Sequence, residues 1–194
     1  MGRVRFENKL PSHGHLILNM KEKILTAYRR YASNVDALLT ALAPLGDDLL
    51  NRKPAEGGWS AIQTLHHLIL VEENALAYTR KKLSFNPPLE KAGLNAWTRS
   101  LLLRVLLRST IKFKAPKSAG NERLPDRATF AETEAQWQKI RKEWIEFFEK
   151  MPDEFANKAV FKHPRAGRIS WLQTIDFFKT HFERHQRQAY RAIS

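Results

Sequence analysis

The chain has 194 residues, 43% hydrophobic and 27% charged, with a formal net charge of +13 and no cysteine. That length suits one domain with a sizeable core. The missing cysteine excludes disulfides, thiolate zinc sites and a cysteine nucleophile, so any bound metal must be held by imidazole and oxygen.

The N-terminal segment, residues 1–15, reads as flexible and carries His13 and His15. Its basic start is not followed by an apolar run, so no secretory signal is expected and the cytoplasm is the expected location. A first main helix follows, with Ile24, Tyr28, Tyr31, Val35, Leu38 and Leu42 on one apolar stripe and Pro44-Leu45-Gly46 at its end. Ser60 with Gln63 has the form of a capping box and opens a second helix, whose apolar face is Ile62, Leu65, Ile69 and Leu76. Phe85-Asn86-Pro87-Pro88 stops it. A third starts at Thr129 with Glu132 as its box partner, and carries Phe130, Trp137, Ile140, Trp144, Phe147 and Met151. The fourth opens at Ser170 with Gln173 and carries Trp171, Ile175, Phe178 and Phe182. The stretches 59–64 and 169–174 resemble each other, which reads as one capping solution used twice. No segment alternates with period two, so no sheet is expected, and the fold class is an all-α four-helix bundle.

About forty residues separate the second and third helices, too long for a simple loop. Within them Trp97 to Lys114 reads as an extra basic helix, part of an insertion over 91–121 that holds seven basic residues and no acidic one. The preferred reading packs its leucines on the bundle and solvates Arg104, Arg108 and Lys112. The competing reading is a basic amphipathic helix for a membrane surface or an acidic partner. Its apolar run, Leu101 to Leu107, is broken by Arg104 and cannot span a bilayer.

On the fourth helix, His181 and His185 stand four residues apart on one face, in line with Phe178, close enough to grip one ion. On the second helix, His66 and His67 point about 100° apart. Periodicity does not choose between them, since His66 neighbours Ile62 and Ile69 while His67 neighbours Thr64 and Val71. His163, ahead of Pro164, is placed to hydrogen-bond at the mouth of such a site. Glu72, Glu73 and Glu183 are the carboxylates nearest in sequence, each read first as a solvated helix-surface residue and second as a base or a partner of a ligand.

Trp59-Ser60 followed by His67-Leu68, together with the stretch 161–170 leading to His181-Phe182-Glu183-Arg184-His185-Gln186, resembles the DinB/YfiT-like superfamily. The resemblance implies an up-down-down-up bundle, often dimeric. It implies a divalent metal, commonly nickel or zinc, held by one histidine of helix two and two of helix four: His67, His181 and His185. Gln63 stands where many members have Glu, and the basic insertion departs from the family's short versions. The superfamily includes thiol-dependent transferases and isomerases. The leading expectation is therefore a metal-dependent enzyme that transfers a low-molecular-weight thiol to, or hydrolyses, a small substrate, working as a homodimer. The alternative is a non-enzymatic cationic helical protein that binds nucleic acid or anionic membrane, for which no recognisable binding motif speaks.

Overall fold

The computed structural model describes residues 13–91, 93–109 and 117–194. Residues 1–12 of the N-terminal segment, and Lys112 and Lys114 of the basic insertion, lie outside the described residues. His13–Leu42 form α1, so His13 to His15 already belong to its first turn rather than to a preceding segment. The expected stripe is the buried one, from Ile24 to Leu42. A short helix that periodicity does not reveal, α2 (Asp47–Asn51), clips the start of the third main helix: Asp47 Oδ1 accepts from Phe130 N at 2.8 Å, and Asn51 Nδ2 donates to Ala128 O at 2.8 Å.

Ser60, Thr129 and Ser170 each close a complete capping box, and these three boxes open α3 (Ala61–Ser84), α5 (Phe130–Lys150) and α6 (Trp171–Ile193) where the sequence places them. The likeness of 59–64 and 169–174 extends to the threonines, since Thr64 and Thr174 each donate back to the N-cap carbonyl at 2.9 Å.

Side-chain pairs fix the helix directions. Lys21 reaches Met151 O, Arg29 pairs with Glu149 and Arg141 with Asp36, so α1 and α5 are antiparallel. His66 meets Thr133, Gln136 meets Glu73 and Arg80 meets Glu143, so α3 and α5 run parallel. Trp137 packs on Phe182, Trp144 on Phe178 and Phe148 on Trp171, so α6 runs against α5. The order is up-down-down-up, with α1 and α3 each packed on both α5 and α6. Parallel neighbours cannot be joined by a tight turn. The chain must return the length of the bundle between α3 and α5, which is why that connection is long.

Tyr28, Tyr31, Trp137, Trp144, Phe148, Phe178 and Phe182 interlock in the centre. On α5, Phe148 is fully buried together with Trp137 and Trp144. Phe147, expected on the stripe, is only half-buried, beside Trp171.

Two findings differ from expectation. The segment before α6 is a small antiparallel hairpin, β1 (Phe161–His163) and β2 (Gly167–Ile169), with Phe161 opposite Ile169 and Lys162 opposite Arg168. Three-residue strands are too short to show alternation. The sequence cue is Gly167, whose φ of +69° lets the turn close.

The extra helix, α4 (Leu94–Arg108), has its C-cap at Ser109 and packs parallel to α6, with Arg104 beside Asp176 and Arg108 beside Glu183. Its orientation bears out part of the preferred reading and departs from the rest. Ala96, Leu103 and Leu107 are buried, but Trp97, Leu101, Leu102 and Val105 face outward, while Arg104 makes a forked pair with Asp176 at 3.0 and 3.1 Å. Asp176 on α6 holds Arg104 against the bundle, partly covered, while Arg108 stays exposed with Glu183 4.0 Å away. A pattern confined to α4 cannot reveal charges on another helix.

Candidate metal centre

Two helices converge on the centre. Seven residues after its cap, α3 presents His67, and α6 presents His181 and His185 one turn apart; all three are buried. One nitrogen from each ring lies within 4.8 Å of the others, and the ring centroids are 4.4 to 5.1 Å apart. His67 Nε2 and His181 Nε2 are 3.2 Å apart. Two nitrogen ligands of a tetrahedral ion at about 2.0–2.1 Å would be separated by roughly 3.3 Å. An N–H···N hydrogen bond also fits that one distance. The third imidazole, which such a bond does not need, favours a shared cation.

Partners behind the rings set the tautomers. His67 Nδ1 donates to Ala119 O at 2.7 Å, and His185 Nδ1 donates to Gln188 Oε1 at 2.9 Å. With the proton held at Nδ1, each ring turns a bare Nε2 lone pair inward, the arrangement that orients imidazoles at metal sites. Burial lowers the pKa of all three. His67 is lowered by desolvation. His181 is pushed well below the usual histidine value by desolvation and then by the neighbouring His185 and His67. His185 falls to about 3, from desolvation first and the nearby His67 second. The three rings are therefore neutral at pH 7, the state a cation requires.

Aromatic rings wall the cluster. Trp59, held by a 2.6 Å bond from Nε1 to Asn121 Oδ1, lies 4.8 Å from His67 and stacks on His185 at 6.2 Å. Phe177 stacks on His181 at 5.4 Å.

The structure separates the adjacent histidines. His66 turns toward α5, where Nε2 meets Thr133 Oγ1 at 3.1 Å, and takes no part in the cluster. His163 does not bond into the centre. Its Nδ1 accepts from Arg165 N and Ala166 N, fastening the hairpin turn, and its ring packs on Phe177 at 4.5 Å. Gln63 serves the helix cap and donates to Pro125 O at 3.1 Å.

The candidate carboxylates are engaged elsewhere. Glu73 accepts from Gln136, and Glu183 lies 3.8 Å from Lys179 and 4.0 Å from Arg108. Glu72 is not the solvated residue expected. It is 1% exposed and accepts from Tyr31 at 2.6 Å, Trp137 at 2.7 Å and Tyr28 at 3.1 Å. Its burial depends on donors from two other helices, which its own neighbours in sequence do not announce.

Sequence reasoning did not find Ala119 or Gln188 as supports. Gln188 had a signal, since it sits three residues after His185 on the same helical face. A backbone carbonyl in a 3-10 turn, Ala119 in Lys117–Ala119, carries none.

Fold and site together define a four-helix-bundle protein with a three-histidine centre between its second and last long helices. The model of the DinB superfamily matches residues 30–189, a span that contains all three histidines, and the chain belongs to that superfamily. Comparison with curated proteins and with solved structures gives no match.

Proposed function

We propose that this chain is a metal-dependent enzyme of the DinB type, in which His67, His181 and His185 hold a divalent ion, zinc or nickel. The observation that carries the reading is the convergence of three buried, neutral imidazoles, two of them fixed in the Nε2-inward tautomer by Ala119 and Gln188. A bound ion with three neutral ligands keeps positive charge and open coordination positions, so it would supply the Lewis acidity that ionises a thiol or a water. The reaction class that suits it is transfer of a low-molecular-weight thiol to a small electrophile, or hydrolysis of a small substrate.

The protein's own contribution is orientation and exclusion of water. Trp59 and Phe177 restrict access to the rings, and the hydrogen bonds behind His67 and His185 hold the donor atoms in place. No carboxylate belongs to the cluster among the described residues, and the proposal routes a proton released on ionising the nucleophile to solvent or to the substrate. A homodimer belongs to the same proposal, and light scattering tests it.

Calorimetric titration of the metal-stripped full chain with zinc, and separately with nickel, tests the centre. Stoichiometric uptake is expected, abolished in a His181→Ala, His185→Ala double variant. Absence of uptake, or uptake that the double variant retains, overturns the proposal. The reaction class is tested by following loss of free thiol from a small thiol mixed with an electrophile, for the metal-loaded protein against the same variant.

A further inference from the structure

Helix α4 is apolar on two sides. Its inner face, Ala96, Leu103 and Leu107, is covered by the bundle, whereas Trp97 is 60%, Leu101 42%, Leu102 59% and Val105 58% exposed. Trp97, Leu101 and Val105 follow one another at four-residue intervals, so they form a continuous outward stripe along the helix, with Leu102 beside it. These four are the majority of the large exposed hydrophobic residues among the described residues; the others, Phe85, Leu172 and Tyr190, lie on other segments. An exposed apolar stripe of this extent on a helix whose opposite side is already buried ordinarily marks an interaction surface.

Charge selects the cover. Between residues 91 and 121 the sequence carries seven cations and no anion, two of them, Lys112 and Lys114, outside the described residues. The nearest α6 carboxylates, Asp176 and Glu183, already face Arg104 and Arg108. Beside α4, where Arg99 Nε donates to Ala166 O at 2.9 Å, the hairpin carries Lys162 and Arg168 directly opposite each other, both exposed. Like charges in register across a strand pair are unfavourable unless an anion answers them. A second copy of the chain is a poor cover, because a two-fold interface sets the same patch against itself and would bring Arg108 and the hairpin cations of two copies together. A nucleic acid backbone matches the charge but leaves Leu101, Leu102 and Val105 in water. An anionic bilayer answers both, taking the apolar stripe below its headgroups and pairing its phosphates with the cations.

We infer that the outward face of α4, with the adjoining hairpin cations, is a docking surface for anionic lipid membranes. The protein lies on the membrane rather than across it, and no described helix is long and apolar enough to cross one. The surface is separate from the three-histidine centre, so the inference stands or falls independently of the proposed chemistry.

Co-sedimentation of the full chain with vesicles decides it, using phosphatidylcholine alone and phosphatidylcholine containing phosphatidylglycerol. Binding is expected to the anionic vesicles, weakening as salt is raised. Leu101→Gln with Val105→Gln, which retains good helix formers at exposed positions, should reduce that binding at least tenfold, roughly the effect of returning two aliphatic side chains to water. Lys162→Ala with Arg168→Ala should weaken it by about thirtyfold, at about fivefold for each cation. Circular dichroism and zinc uptake should be unchanged in both variants. Three results overturn the inference: no binding to anionic vesicles, equal binding to neutral ones, or binding that the Leu101/Val105 variant retains. A dimer that this variant dissociates, with no vesicle binding, assigns the face to a second copy instead.

Discussion

Lowering the pH should unfold the metal-stripped protein while the exposed carboxylates are still ionised, and the cause lies in the histidines. In the fold, His185 is brought to about 3 and His163 to about 4, His163 through desolvation first and Arg165 second, against an ordinary value of 6.5. The unfolded chain therefore binds protons that the folded chain refuses. Above pH 6.5 neither group disturbs stability. As the pH falls from 6.5 toward 4, each removes about 1.4 kcal/mol of stability per pH unit, so the pair removes about 2.7 kcal/mol per unit. His67 and His181 are shifted in the same direction and steepen the loss. Glu72 opposes it. Its folded pKa is raised, chiefly by desolvation, so the stability it contributes is full below the ordinary carboxyl value and is lost as the pH rises through the folded one. A Glu72→Gln background removes that opposition. Urea denaturation with chelator at pH 7.5, 6.5, 5.5 and 5.0 provides the assay. Stability should be nearly level between the first two and fall by at least about 2–3 kcal/mol per unit below them. His163→Gln should reduce the slope by about one proton. A curve level within about 1 kcal/mol from pH 7.5 to 5 would show that these rings are not held neutral in the fold, and the metal-ready state argued for them would go with it.

Excess zinc at neutral pH should stabilise the native chain by about 2.7 kcal/mol at one hundred times its dissociation constant, a shift seen in thermal melts and missing in His67→Ala. Gln188→Ala removes the acceptor behind His185 and should weaken zinc binding about 10–100-fold in calorimetry while the fold persists. Glu72→Ala leaves two tyrosine hydroxyls and an indole N–H without their acceptor, and should cost about 3–5 kcal/mol in urea denaturation. Glu72→Gln should cost less than about 1 kcal/mol, because the amide can accept two of those bonds and donate the third. Ser60→Ala should lower stability by about 1 kcal/mol through loss of the α3 cap.

How much of this was legible follows from where each signal is written. The caps are local: Ser60 with Gln63, Thr129 with Glu132 and Ser170 with Gln173 each lie within one turn, and all three helices start there. The pair His181 and His185 is local too. His67 was not distinguishable from His66 by periodicity, because both neighbour apolar residues; resemblance to the family selected it, and the ring of His66 in fact reaches Thr133. What stayed hidden was set by partners distant in sequence. The partial covering of Arg104 depends on Asp176, the burial of Glu72 on Tyr28, Tyr31 and Trp137, and the tautomer of His67 on the carbonyl of Ala119. The hairpin was missed for a different reason, since three residues per strand cannot establish a period.

The parallel run of α3 and α5 ties topology to chemistry. Because those helices point the same way, the chain needs a crossover that returns along the bundle, and its final part passes His67. There Ala119 accepts the Nδ1 proton of His67, Ser118 O accepts from Asn74, and Asn121 holds Trp59 against the rings. A bundle of strictly alternating direction would close this gap with a short turn and would leave His67 without that carbonyl. The long connection is therefore part of the three-histidine centre as well as a consequence of helix order. Shortening it ahead of residue 117 should spare the centre only while Ala119 and Asn121 keep their places. Zinc affinity, measured by calorimetry across a deletion series, should fall together with the His67 imidazole N–H signal in proton NMR. Affinity that survives loss of that signal would break the link between crossover and site.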